Sequence, residues 1–310
     1  MQAQALPTLP PERLHLPFEA GPFRMAMGLV ACPPGELIEL DERYPAEMAE
    51  RRTLLDTRHE DVFAACPGSG PAGMAVLARL ASLLPERFPT CFRRNGTVLC
   101  NRVTGEDWDL GRPLPHDPLE VAGRLVQEDL CVLRLGSDGP MLDAAVLCAP
   151  SRWRLAEKIG KPLGAIHGPV PLYAERLGHP VDRLMRQLKP GRVAMRMNWS
   201  VVDDPALFQP GGKHRTAVDA TITAANAGTR LHLRTERQTL SRLDPGGTEG
   251  GHVLFTIRVH SHPVDAVAAV PGAAARLAEA VRALPPDMAR YKSLPVFRDA
   301  LLGFLDAAAS

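Results

Sequence analysis

The chain has 310 residues, 45% hydrophobic and 23% charged, enough for one large domain or two moderate ones, and it reads as an ordinary folded protein, neither disordered nor fibrous. Its 36 basic and 35 acidic side chains leave a net charge of +1, so no basic field gathers nucleic acid or an anionic membrane surface. No run of about eighteen uncharged apolar residues marks a membrane span.

The first thirty residues mix prolines with Glu12, Arg13 and Glu19 and lack the basic-then-apolar pattern of a secretory signal. Six cysteines without a C-x-x-C pair suit neither a zinc site nor a disulfide framework, so reduced thiols in a cytoplasm are expected. The clearest early helix is "GMAVLARLASLLPERF", with Met74, Leu77, Leu80 and Leu83/Leu84 on one face and Pro85 as its stop. A short extended piece, "TVLCN", follows. "HDPLEVAGRLVQEDL" has Asp117 as N-cap, Pro118 at the first helical position and apolar residues at helical spacing. Two apolar runs, "CVLRLG" and "MLDAAVLCAP", separated by "SDG", predict a hairpin. "SRWRLAEKIG" and "LYAERLGHPVDRLMRQLKPG" then read as helices, and "RVAMRMNWSVVDD", "RLHLRTERQTLSRL" and "HVLFTIRVHSH" as strands. "PGAAARLAEAVRALPP" and "FRDALLGFL" are C-terminal helices.

Connections this short disfavour parallel crossovers. The order predicts an α+β fold: a PAS-like, five-stranded, mainly antiparallel sheet with helices over one face, plus a mostly helical N-terminal region. The expected division is an N-terminal cap over 1–112, a central domain over 113–265 and C-terminal helices over 266–310.

"GSGPAG", Gly68 to Gly73, matches G-x-G-x-x-G, but the preceding "EDVFAAC" is a poor buried strand. The acidic residue about twenty positions on, Glu86, sits at a helix end, so the motif reads as a decoy. His260 and His262 in "HSH" share one strand face at a metal-binding spacing, but no third ligand is evident, and an exposed strand end is the plainer account. Each of the last three strands has a polar face: Arg196, Asn198 and Ser200; His232, Arg234, Glu236 and Gln238; Thr256, Arg258 and His260. A sheet with one wet face would explain that. Arg237 resists it, because it stands on the apolar side and a buried guanidinium must be paired. Its partner is expected either near Glu236 or on a bound ligand, unless a bulge redirects the side chain.

In "KPLGAIHGPVPLY", Pro169 and Pro171 stiffen the chain after His167, while Gly164 and Gly168 permit close approach of a flat ligand. An imidazole held this way can offer one ring nitrogen to iron while a carbonyl orients the other, or it is an ordinary loop histidine.

"PSRWRLAEKIGKPLGAIHGPVPLY", "RMNWSVVDDPALFQP" and "LRTERQTLSRL…HVLFTIR" resemble, in order and spacing, the haem-dependent oxidative N-demethylase alpha subunits, as do "PFRMAMGL", "RFP", "TGEDWDL" and "LVQEDLCVL". The resemblance implies a PAS-like haem monooxygenase: haem b activates dioxygen, a methyl group leaves a secondary or N-methyl amine as formaldehyde, and electrons arrive from NADPH through a separate flavin and iron-sulfur reductase. It implies His167 as the axial iron ligand, Asn198 and Trp199 as pocket lining, and Arg196 and Arg234 as candidates for the haem propionates. Glu236 and Arg237 become a catalytic pair in the distal pocket. A non-catalytic haem-binding sensor or carrier is the alternative, and "RVHSHPVDAV" and the glycine-rich turn in "SRLDPGGTEGGHV" depart from the family pattern.

Overall fold

The computed structural model describes residues 8–137, 139–243 and 251–310. The glycine-rich turn singled out above falls largely outside them. Among the described residues the strands are β1 (Val30–Cys32), β2 (Phe63–Ala65), β3 (Phe92–Asn95), β4 (Val98–Asn101), β5 (Glu106–Asp109), β6 (Asp129–Gly136), β7 (Gly139–Val146), β8 (Val193–Val202), β9 (His232–Leu243) and β10 (His252–Pro263). The main sheet runs β1-β8-β9-β10-β6-β7-β2, antiparallel throughout.

The five expected strands form its centre, but the sheet has seven. β1 and β2, both from the N-terminal third, extend its two edges. The N-terminal region is also less helical than expected, since β3, β4 and β5 make a separate three-stranded sheet. The β6–β7 hairpin forms as predicted, with Gly136 paired to Gly139.

Local chemistry explains most element ends. Asp117 Oδ1 accepts from the Leu119 N–H at 2.8 Å and caps the helix Pro118–Gly123. That helix is shorter than its apolar spacing suggested. Gly123 lies so close to Val146 that a Cβ there would meet Cγ1 at 2.7 Å, and Leu130 already belongs to β6. The helix Gly70–Arg87 carries Pro85 inside its last turn and ends two residues later, so the proline is not its stop. Gly73 of the "GSGPAG" stretch packs against Leu119, a close-contact role that needs no nucleotide.

Among the described residues, other elements pack over both faces of the sheet. On one face Cys131, Leu133, Leu142, Leu147, Leu240 and Val253 pack under Leu155, Leu163 and Met185 of the 155–187 segment. That segment contributes the helix Leu163–Ile166, a π-helical turn at Ala174–Gly178 and the helix His179–Gln187. On the reverse face, Leu130, Val132 and Leu254 meet residues of the N-terminal third, including Leu37, Tyr44 and Leu77. Farther along that face, Val201 and Leu233 meet the C-terminal helices through Leu277, Val281 and Leu301. No helix among the described residues is long and apolar enough to cross a membrane.

Candidate cofactor site

Between the first face and the 155–187 segment lies a cavity of about 1070 Å³, also walled by residues 17–29 and by the 209–214 loop. Strand register decides its chemistry. Asn198 pairs with Glu236 and Glu236 with Val259, while Arg196 pairs with Gln238 and Gln238 with Ile257. The polar faces of β8 and β9 therefore continue into the apolar face of β10, and then to Cys131 and Leu133 on β6. One end of the cavity is polar and the other apolar.

His167 lines this cavity and caps the helix Leu163–Ile166. Its Nδ1 lies 2.9 Å from the Leu163 carbonyl oxygen. A carbonyl only accepts, so Nδ1 carries the proton and Nε2 carries the lone pair. The ring stacks on Tyr173 at 4.3 Å and 11°. Burial drives the imidazole pKa down to about 4, against the pull of the Leu163 hydrogen bond and with help from the Lys158 and Arg196 charges, so the ring is neutral at physiological pH. Downstream the chain turns sharply, and Leu172 adopts φ +63°, an unusual conformation for a bulky residue. The imidazole thus has one ring nitrogen on a backbone carbonyl, the orientation expected of it.

Glu236 faces the cavity from the middle of β9. Ser151 Oγ donates to it in a short hydrogen bond, Gln238 Nε2 donates at 2.7 Å and Asn198 Nδ2 at 3.3 Å. Burial alone would raise its pKa, but these three donors and the Arg234 charge outweigh burial and hold the carboxyl below the usual range. Arg234 acts through Ser151. Its Nε donates to Ser151 Oγ at 3.0 Å, so the Ser151 hydrogen must point at Glu236. The rest of the guanidinium is taken by the carbonyls of Ala149, Ala206 and Leu207 at 2.8 to 3.0 Å. Arg234 is thus a buried brace for the loop at 149–151 and for Glu236, not the open anion donor expected of it.

Arg237 does not enter the cavity. Adjacent strand residues point to opposite faces, and Arg237 lies on the reverse face with Nε 3.3 Å from Glu39 Oε2 and Nη2 donating to the Glu36 carbonyl at 2.5 Å. The expected Glu236/Arg237 pair in one pocket does not form. Glu39, far away in sequence, is the partner that Arg237 required.

Arg196 lines the cavity with its Nε buried and without a hydrogen-bond partner among the described residues. Trp199 is also in the lining, but it belongs to the opposite set of β8 residues and packs edge-on against Phe18 at 5.8 Å. Three lysines that pattern reading did not single out complete the polar end. Lys158 Nζ sits 4.0 Å over the Trp153 ring, Lys213 Nζ donates to Tyr291 Oη at 2.9 Å, and Lys292 Nζ donates to the Trp199 carbonyl at 2.5 Å. Burial lowers Lys158 and Lys292 to about 8, with Lys213 adding repulsion to both. Scattered single lysines carry no periodic signal; only the fold gathers them.

These features define a class: an α+β protein that encloses a large ligand cavity against one face of an antiparallel sheet, with a neutral imidazole on its wall, an apolar end and a cation-rich end. The chain belongs to the family described as haem-dependent oxidative N-demethylase, alpha subunit-like, whose model matches residues 28–302.

Proposed function

We propose that this chain is the haem-bearing subunit of an oxidative N-demethylase built on a PAS-like sheet. The observation that carries the reading is the His167 tautomer, with Nδ1 on the Leu163 carbonyl and a neutral Nε2 without a hydrogen bond among the described residues, beside a cavity that is apolar at one end and cationic at the other. The residues present fit haem b. His167 would be the axial ligand; Cys131, Leu133, Phe255 and Ile257 offer an apolar bed for a macrocycle; Arg196, Lys158, Lys213 and Lys292 offer charge to two propionates. The five central strands, with the helical segment between the second and third, support the PAS-like reading.

Bound haem supplies dioxygen activation. The balanced reaction converts an N-methyl amine, dioxygen, NADPH and a proton into the demethylated amine, formaldehyde, water and NADP⁺, with the electrons delivered by a separate flavin and iron-sulfur component. Within this chain, Glu236 binds the cationic amine and orients its methyl group, since a carboxylate held ionised by three donors pairs with an ammonium. Residues 17–29 line one wall of the cavity and would shield part of a bound ligand from water.

Absorption spectroscopy tests the reading. Protein expressed with ample haem should show a Soret band that His167→Ala shifts or removes, and formaldehyde should appear from N-methyl amines when a surrogate reductase is supplied. No Soret band would refute the haem assignment. Reduced iron without formaldehyde across a broad amine panel would refute the enzyme and leave a sensor.

A further inference from the structure

The reverse face of β10 carries Arg258, His260 and His262, and residues 12–15 and 39–41 pass over it. His260 is fully buried. Its Nδ1 lies 3.1 Å from Glu12 Oε1, and a carboxylate oxygen only accepts, so Nδ1 carries the proton and Nε2 a lone pair. That Nε2 is buried and has no hydrogen-bond partner among the described residues. His15 Nε2 is buried as well and, among the described residues, makes no hydrogen bond of good geometry, although it lies 3.4 Å from Glu39 Oε1. The two rings stand 4.9 Å apart, and the donor atoms of His15, Glu39 and His260 all lie within 4.8 Å of one another.

Two buried imidazole nitrogens near one carboxylate, neither making a hydrogen bond among the described residues, are costly if nothing else binds them. The geometry points to a divalent-cation site formed by His15, Glu39 and His260, with Glu12 as the carboxylate that orients His260. Donors bound at about 2.1 Å to a tetrahedral ion are separated by about 3.4 Å, which matches the His15–Glu39 spacing. Two imidazoles and a carboxylate, with no thiolate, form an open three-ligand set for zinc or another first-row dication. The Glu12–Nδ1 contact is the outer hydrogen bond that metal-binding histidines commonly make. Arg237 Nε at 3.3 Å and Arg13 Nε at 3.8 Å also neutralise Glu39, so the ion competes with two guanidinium groups there. A rival grouping of Glu12, His260 and His262 is better satisfied by the protein itself, because His262 Nε2 also has the Arg13 carbonyl at 3.3 Å.

The three ligands come from both sides of the 17–29 cavity wall and from the strand next to β9. An ion there pins that wall to the sheet from behind, which is independent of what the cavity holds.

Equilibrium dialysis of the full-length chain against zinc, with metal counted by mass spectrometry, is expected to find one zinc per chain. His15→Gln and Glu39→Gln should each weaken binding at least about tenfold, and Glu12→Gln about tenfold through His260, with unchanged far-ultraviolet circular dichroism. Should Glu39→Gln unfold because Arg237 loses its partner, His15→Gln, whose side chain is 21% exposed, still decides the matter. Substoichiometric zinc in the parent protein, or affinity unchanged in folded His15→Gln, overturns the site. Iron counted in the same samples reports haem separately, so failure of the haem reading and failure of this one are distinguishable.

Discussion

Replacing His167 by Gln should change how stability responds to pH. In the folded protein burial holds the His167 pKa at about 4, against 6.5 for a free imidazole. The unfolded chain therefore takes up a proton between those values that the folded chain refuses, and stability falls as pH drops through 6.5, flattening below about 4. With those two values, the ring costs about 2 kcal/mol on going from pH 7 to pH 5. Gln keeps a donor for the Leu163 carbonyl but does not titrate, so the variant lacks this increment while every other group still contributes. Urea unfolding of haem-free protein at pH 7 and pH 5, followed by circular dichroism, should show the wild type losing about 2 kcal/mol more than His167→Gln. Equal losses would mean that the imidazole is not held in a desolvated, neutral state, and the argument for its Nε2 as a ready ligand would fail with it.

Glu236→Gln should leave the Soret band in place and lower formaldehyde release at least about tenfold, because it removes the charge that pairs with the amine; wild-type turnover would remove Glu236 from the chemistry. Arg237→Met should lower stability by about 3 kcal/mol in urea titration, since it leaves Glu39 less neutralised next to the core, while the haem spectrum stays unchanged. A shifted Soret band there would contradict the reverse-face position. Lys158 and Lys292, both lowered to about 8, are cationic below that pH and lose charge above it. Haem affinity, read by quenching of tryptophan fluorescence, should therefore fall between pH 7 and pH 9, and the fall should be smaller in Lys292→Met. Affinity that is flat over this range would refute the placement of the propionates at the cationic end.

What the sequence made legible, and what it did not, divides along one physical line. Short-range chemistry was readable: the Asp117 cap, the β6–β7 hairpin and the carbonyl contact of His167 depend on residues a few positions apart. Register was not. Period-two patterning showed that Glu236 and Arg237 point oppositely, and that β8, β9 and β10 each have a polar face, but it cannot say which faces coincide. Pairing of Glu236 with Val259, and of Arg237 with Arg258, puts the polar face of β10 behind the cavity. Two cross-strand buried arginines result, a placement that like charges alone would forbid. It holds because Arg258 meets Asp41 at 2.6 Å and Glu47 at 2.8 Å while Arg237 meets Glu39 at 3.3 Å. All three acids come from the N-terminal third, about two hundred residues away, so the unpaired Arg237 in the sequence was a sign of a second packed layer. The same layer supplies Glu12 and His15 to His260, and its residues 17–29 pass round to wall the cavity. The N-terminal third is thus part of both sides of the sheet, and removing it would leave buried arginines without partners and the proposed haem pocket without a wall.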